Sequence, residues 1–536
     1  MASCSPSLRR ATWQRIVSVC VLATLALSLQ PPSPVHAATY GVDRFDDVFS
    51  AQACTAAPND CSLRGAVERA NTAFGADTIA LPAGTYVLAA EAYPGQPGKE
   101  WGDLNIQPTD LTIEGAGAAT TIIEANGAVT GEGAFYSYGG SGALSLSQLT
   151  ITGGSLGAIV SLRPLNLTDV VIDSNTTTGS GGGIYQAGGG VLTLIGVTVS
   201  NNQSAHSGGG IYLFNGLVSV EDSTISGNQV TANGGGGGID IGSSATGFSF
   251  SHTTISGNTA FSGGGGVAIE AGSGTFSHVT LASNTAPSDG GGMFVAGTPT
   301  VTVTDSTFIG NTTAGDGGGA YIGDTANVTF ERCTLSGNVS NATVSPGGGG
   351  GIFFSNSTLT LTNSTVSGNS AKAHGGGLFS YMPGSSATLT AVTIADNTPD
   401  SDGTGGGSGG GLYIYNGTVT LVGSIVADNT GAECYRSAGS LVSSGYNLSS
   451  DASCKLDGPG DLPSTPAGLG PLADNGGPTQ THALLPGSQA IDTSSIVICP
   501  TIDPRGFPRP VGAECDIGAY EAGWWVFLPV ILRQYP

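Results

Sequence analysis

Charge is what this chain has least of. Only 10% of its 536 residues are Asp, Glu, Lys or Arg, against about 25% in ordinary soluble domains. Basic residues are scarcer still: 15 Lys and Arg, three of them Lys, face 38 Asp and Glu, for a net charge of −23. With no basic surface to neutralise phosphates, nucleic acid is excluded as a partner. Long Glu/Lys/Leu-rich stretches are also missing, which excludes a large helical enzyme. No CxxC spacing occurs, which argues against a zinc site. What is present in excess is Gly, 89 residues. It has no triplet period, so collagen is excluded, and β-branched and aliphatic residues are too plentiful for a disordered chain.

The N-terminus reads as a processing segment. Arg9, Arg10 and Arg15 precede an apolar run from Ile16 to Leu29, and Val35-His36-Ala37 places small residues at −3 and −1. This predicts a secretory signal peptide over 1–37, cleaved after Ala37, with an uncleaved anchor as the alternative. Cleavage leaves twelve basic against 38 acidic residues, a charge of −26, and seven Cys. An exported acidic protein in an oxidising compartment follows. Proximity pairs Cys54 with Cys61, Cys434 with Cys454 and Cys499 with Cys515, although spacing alone does not determine connectivity. Cys333 is left over.

The middle of the chain repeats. Asn175, Asn202, Asn228, Asn258, Asn284, Asn311, Asn338, Asn369, Asn397 and Asn429 each close a phrase such as Ser223-Thr-Ile-Ser-Gly-Asn228, at steps of 26 to 32 residues. A Gly run and then an apolar residue follow nine of the ten. Such a period means a solenoid. Three residues before each Asn stands an apolar residue (Ile172 through Val426), and eight before stands another (Leu167 through Leu421). Positions −10 and −8 share one strand parity and −5 and −3 the other, so a corner lies between them. A second corner falls at the Asn, and the Gly run leads into a third strand, as in Gly183-Ile184-Tyr185. The fold expected is all-β: a right-handed, single-stranded parallel β-helix with three short strands per turn, an N-terminal helical cap and a C-terminal cap module. The corner Asn residues should stack as a ladder from rung to rung. Cys333, at −5 among small residues, should be a buried, unreactive thiol.

Phe308-Ile-Gly-Asn311 followed by Gly318-Gly319-Ala320 resembles the FxxN and GGA signatures of polymorphic outer membrane protein repeats, within the pectin-lyase-like β-helix superfamily. Upstream, Cys61-Ser-Leu-Arg-Gly-Ala66, Ala70-Asn71 and Asp77 to Tyr86 resemble the CSLREA domain, with Gly65 where Glu is usual. Downstream, Leu472 to His482, Gly487 to Asp492, Asp503-Pro-Arg-Gly506 and Cys515 to Glu521 resemble the choice-of-anchor Q domain. The resemblance implies a secreted or surface-displayed bacterial protein and does not by itself imply catalysis. It divides the chain into 38–90, an N-terminal cap; 91–430, the β-helix; 431–523, the C-terminal module; and 524–536, an apolar tail. The tail, Trp524 to Leu532 before Arg533, is too short to span a bilayer as a helix. It reads either as an envelope-attachment segment or as a strand docking on the last rung.

Two titratable columns are candidates for chemistry. Six residues before successive Asn stand Asp222, His252, His278, Asp305, Arg332 and Asn363. Asp222 and Asp305 are three rungs apart, about 14 Å at the usual strand spacing, beyond the roughly 5 to 9.5 Å of a glycosidase pair. A corner also favours these residue types for its turn. Ahead of the Gly runs, Asp289 and Asp316 occupy adjacent rungs, at the separation of a retaining-type carboxylate pair. They read as turn-capping acids, as a calcium site, or, if the protein is an enzyme, as its catalytic pair. No other catalytic set, cofactor or metal site is expected. The partner expected is a cell-envelope or extracellular glycan or protein surface, bound by a monomer.

Overall fold

The computed structural model describes residues 37–523 apart from 74, 90, 93–99, 108–109 and 344–346. Nearly all of the predicted signal segment, and the whole tail from Trp524, lie outside the described residues.

One turn shows how the pattern becomes structure. Ile184–Gln186, Val191–Ile195 and Thr198–Ser200 are strands, and Gln203–Ser204 forms a fourth, two-residue one. Each pairs in parallel with its equivalent one turn on, as Thr198–Ser200 does with Thr224–Ser226. The first and second strands join a 26-stranded sheet and the third a 14-stranded sheet. The short fourth strand adds to the three expected; it forms in seven turns, where the two residues after the Asn stay extended. In two turns the first and second strands fuse, as Ile211–Glu221 and Ile239–Ser251. Alternation sends Leu192, Leu194 and Val199 inward, fully buried in one continuous apolar core.

Both corners use left-handed backbone. The −6 residue has positive φ on rung after rung, from Asp222 (49°) through His252 (46°), His278 (55°) and Asp305 (51°) to Arg332 (53°) and Asn363 (48°). At the second corner the positive φ falls on the residue before the Asn, for example Gly227 (64°), and the Asn itself turns inward. The Gly run has two causes. Gly208 takes φ +70°, whereas Gly209 has no room for a side chain, since a Cβ there would lie 2.3 Å from Gly237 O.

The inward Asn residues hydrogen-bond continuously. Asn258 donates from both its backbone N and its Nδ2 to Asn284 Oδ1 (3.1 and 3.0 Å), and Nδ2 also donates to Ile225 O (2.9 Å). The same pattern runs from Asn175 to Asn429. The ladder ends on Glu433, a buried carboxylate that accepts from Asn429 N and Nδ2.

The helix Leu63–Thr72 packs on strands Asp77–Leu81 and Leu104–Ile106 at the N-terminal end, with Ser62 as its side-chain cap. Arg64 is buried in a two-pronged pair with Asp47 (2.8 and 2.7 Å). Gly65 stands where a Cβ would lie 1.9 Å from Ala51 O, so any larger residue would displace that loop. The sulfurs of Cys54 and Cys61, Cys434 and Cys454, and Cys499 and Cys515 are bonded.

The C-terminal module is only in part an end cap. Cys454 and Leu456 close the core after the last turn. From Leu469 onward the chain folds back along the outer face of the 14-stranded sheet: Thr334 Oγ1 donates to Gln480 O, Ser367 Oγ bonds His482 Nε2 (2.8 Å), and Ala519 N donates to Thr393 Oγ1 (3.0 Å). Strands Thr334–Ser336, Thr365–Ser367, Thr393–Ala395 and Ile425–Ala427 are therefore buried on both faces.

Candidate functional site

The −6 column is a corner, and most of its groups are used by the fold. Arg332 forms a two-pronged ion pair with Asp305 (both contacts 2.8 Å) and also contacts Glu331. Hydrogen bonding to Asp305 raises the Arg332 pKa. His252 and His278 are exposed and stack at 4.9 Å between ring centres. Asn363 is bound between Arg509 Nη1 (3.2 Å) and Ile502 O (2.8 Å) of the C-terminal module. Cys333 is buried, its thiol pushed up to about 12 by desolvation.

Asp289 and Asp316 do lie on adjacent rungs, and each links its rung to the next. Asp289 Oδ1 accepts from Asp316 N (2.8 Å), and Asp316 Oδ1 accepts from Gly348 N (2.7 Å). His374, farther along the same column, accepts from Ser408 N through Nδ1 (3.2 Å). A carboxylate and an imidazole therefore do the same turn-linking work. Burial pushes Asp316 up to about 7, the Gly348 N–H works against that rise, and the Asp289 charge adds to it. Among the described residues, no three His, Cys, Asp or Glu side chains gather to hold a metal ion.

A feature the sequence reading passed over lies on the outside of the first strand. The register aligns Tyr185, Tyr212, Asp240, Ala268, Phe294, Tyr321, Phe353, Phe379, Tyr413 and Tyr435 in one outward column. From Phe294 to Tyr435 the six rings stack continuously, with centroids 4.8–5.2 Å apart and planes within 11–19°. The centroid spacing exceeds ring-to-ring contact distance, so the rings are offset and inclined like shingles. A second pair, Tyr381 and Tyr415, stacks outside it at 5.7 Å. The signal was present in the sequence as the residue after each apolar one that follows a Gly run. Core periodicity does not report it, because the core is built from the inward parity.

Beside this column His374 stacks on Tyr413 at 4.3 Å. His374 also lines a cavity of about 280 Å³ with Lys372, Asp400, Asp402 and Thr404. The Asp400 carboxylate accepts from Gly405 N, and Asp402 accepts from Thr404 N and Oγ1, so these acids shape the loop that walls the cavity. Aromatic rings, one cation and acceptor oxygens thus converge on the rod's exterior.

No curated protein matches the sequence. Among solved structures, a pectate lyase (Pel9A) aligns at 14% identity and TM-score 0.35, covering 91% of this chain and 98% of its own. The A-module of the Azotobacter vinelandii mannuronan C-5 epimerase AlgE6 aligns at 14% and 0.33, covering 76% of this chain and 99% of its own. The catalytic domain of a GH87 α-1,3-glucanase aligns at 11% and 0.33, covering 77% of this chain and 66% of its own. The model of the right-handed beta helix region matches over 111–286, 233–394 and 266–453. With parallel strands from Thr39–Gly41 to Leu448–Ser449 and a family match over most of the rod, the chain belongs to the right-handed β-helix family.

Proposed function

We propose that this is an exported, surface-associated β-helix that adheres to a glycan on or near the cell envelope through its aromatic face and has no catalytic centre. The observation that carries the reading is the outward aromatic column. A plain spacer needs only Ser, Thr and Asn on its water-facing strands; here Phe353, Phe379 and Tyr413 are buried inside a stack of their own, flanked by the partly buried Tyr321, Tyr381 and Tyr415, and the surface offered is its rim, where Tyr435 is 44% and Met382 41% exposed. Rings with polar tips combine a large contact area with a hydrogen-bonding group, which suits them to a surface that is covered on binding. The ends of the chain support export: the signal-like segment and three disulfides fit an oxidising compartment, and the CSLREA-like and choice-of-anchor Q-like segments fit surface display. Glycan-array binding tests the adhesive reading. Wild type should bind, and Tyr381→Ala, Tyr415→Ala and Tyr435→Ala should each cost about 1 kcal/mol or more of affinity. Binding untouched by all three, or absent across neutral and acidic glycans, defeats it. Protease shaving of intact cells tests display, and a chain fully protected inside the cell would contradict it.

A second reading, polysaccharide cleavage by Asp289 and Asp316, is favoured by their places on adjacent rungs together with the burial that pushes Asp316 up to about 7, into the range a general acid uses. Reducing-end release across the same glycans tests it, and turnover unchanged in Asp316→Asn would end it.

A further inference from the structure

The aromatic column breaks at two consecutive rungs, where Asp240 and Ala268 stand between Tyr212 and Phe294. Asp240 is 2% exposed, and its Oδ1 has no hydrogen-bond partner. The Ser207 side chain lies close enough to this carboxyl to favour its charged form. Two residues beyond Ala268, on the same outward parity, stands Glu270, whose backbone N donates to Ile241 O (2.9 Å) and so sits beside Asp240's own strand. Gly242, which follows Ile241 on the strand, brings no side chain here, and the Tyr212 side chain lies over it: a Cβ there would lie 3.2 Å from both the Tyr212 hydroxyl and Leu213 O. Burial pushes Asp240 up to about 7, and Glu270 adds to the shift. The Tyr212 hydroxyl feels both carboxylates.

A buried carboxyl beside a second one either keeps its proton or meets a counter-charge, and this part of the chain supplies no cationic side chain. No Lys or Arg occurs between Arg163 and Arg332. Arg332 is three rungs away, about 14 Å, and is paired with Asp305. Two carboxylates balance one divalent charge. The polar groups at the gap offer only oxygen, which selects a hard cation, and an irregular set of carboxylate and hydroxyl oxygens suits calcium better than the strict octahedron of magnesium.

We propose that the break in the aromatic column is a calcium-binding site in which the carboxylates of Asp240 and Glu270, with the Ser207 hydroxyl, hold one ion and tie successive turns together. The site is distinct from Asp289 and Asp316, and it does not depend on the glycan reading. Terbium luminescence on the full secreted chain tests it, because the Tyr212 ring at the gap can sensitise the ion. The expected result is emission saturating at one ion per chain and displaced by calcium, with the thermal midpoint raised by calcium and lowered by chelator. Asp240→Asn keeps the side chain's shape and should abolish binding while melting as cooperatively as wild type. Glu270→Gln should weaken binding roughly tenfold or more. Asp222→Asn, an exposed corner acid, should bind as wild type. No saturable binding by wild type, or undiminished binding by Asp240→Asn, would show that Asp240 is simply a buried neutral acid. An equal response to magnesium alone would overturn the calcium assignment.

Discussion

Asn284 shows what one side chain can carry in this rod. Its Oδ1 accepts from Asn258 N and Nδ2, while its own Nδ2 reaches Ile255 O and Asn311 Oδ1. Asn284→Leu would leave the two Asn258 donors and the Ile255 carbonyl without their partner in a buried place. At about 1–3 kcal/mol for each unsatisfied group, the variant should lose at least about 3 kcal/mol, read as a lower denaturant midpoint. Arg332 provides the contrast. Its two-pronged pair with Asp305 stays partly solvated, with side chains 18% and 12% exposed, so Arg332→Gln should cost more than the about 1 kcal/mol of an exposed pair and less than the about 3–5 kcal/mol of a fully buried one. The sequence shows both residues equally plainly. Burial separates them, and burial follows from which way each corner turns its side chain.

The element that most alters the expected picture is the returning C-terminal segment. Arg509, buried, contacts Glu521 Oε2 (3.0 Å), Asp516 O (2.6 Å), Gly518 O (3.1 Å) and Asn363 Oδ1 (3.2 Å). It therefore joins the segment's own motif residues to the rod. Arg509→Ala leaves the Glu521 carboxylate buried and unpaired, a loss of about 3–5 kcal/mol. Limited proteolysis should then cut within 469–523 while the rod survives; equal resistance to wild type would contradict this. The motif acids and arginines were legible as motifs, but their work was not. The contact of Asn363 with Ile502 joins residues 139 apart, and no local periodicity reports such a meeting. A hint was available at one position: Ile425 stands where the turns from Thr198 to Thr393 all carry Thr.

At the scale of the whole molecule, turns contact chiefly their neighbours, so damage should stay local. Reducing Cys434–Cys454, with a sequence separation of 20, should remove about 3 kcal/mol from the last turn. It should appear as faster proteolysis near 434–454, with the central turns unchanged. Stability should also follow pH with a definite sign. Asp316 and Asp240 are raised by burial from 3.8 to about 7. The folded chain therefore holds protons that the unfolded chain releases, and stability falls as pH rises from about 4 to 7. Asp173 acts oppositely: burial opposes its ionisation, but hydrogen bonds from Ser174, Ser200 and Asn201 prevail and lower its pKa. That contribution is present above its unfolded value and is lost as pH falls through the folded one. Melting in chelator should thus peak in mildly acidic buffer, and Asp316→Asn should flatten the decline on the neutral side.

Sequence by itself determined the rod: its period, its inward columns, its corners and the Asn ladder. A solenoid repeats one local geometry, so side-chain parity and spacing carry that information in one dimension. Only the tertiary structure decided where the C-terminal segment lies, which sheet face it covers and how the outward aromatic rings pack on one another. Those outcomes depend on contacts between distant turns and on what covers each face. Asp289 and Asp316 illustrate the division: their adjacency could be read from the repeat, but their bonds to the next turn's backbone could not.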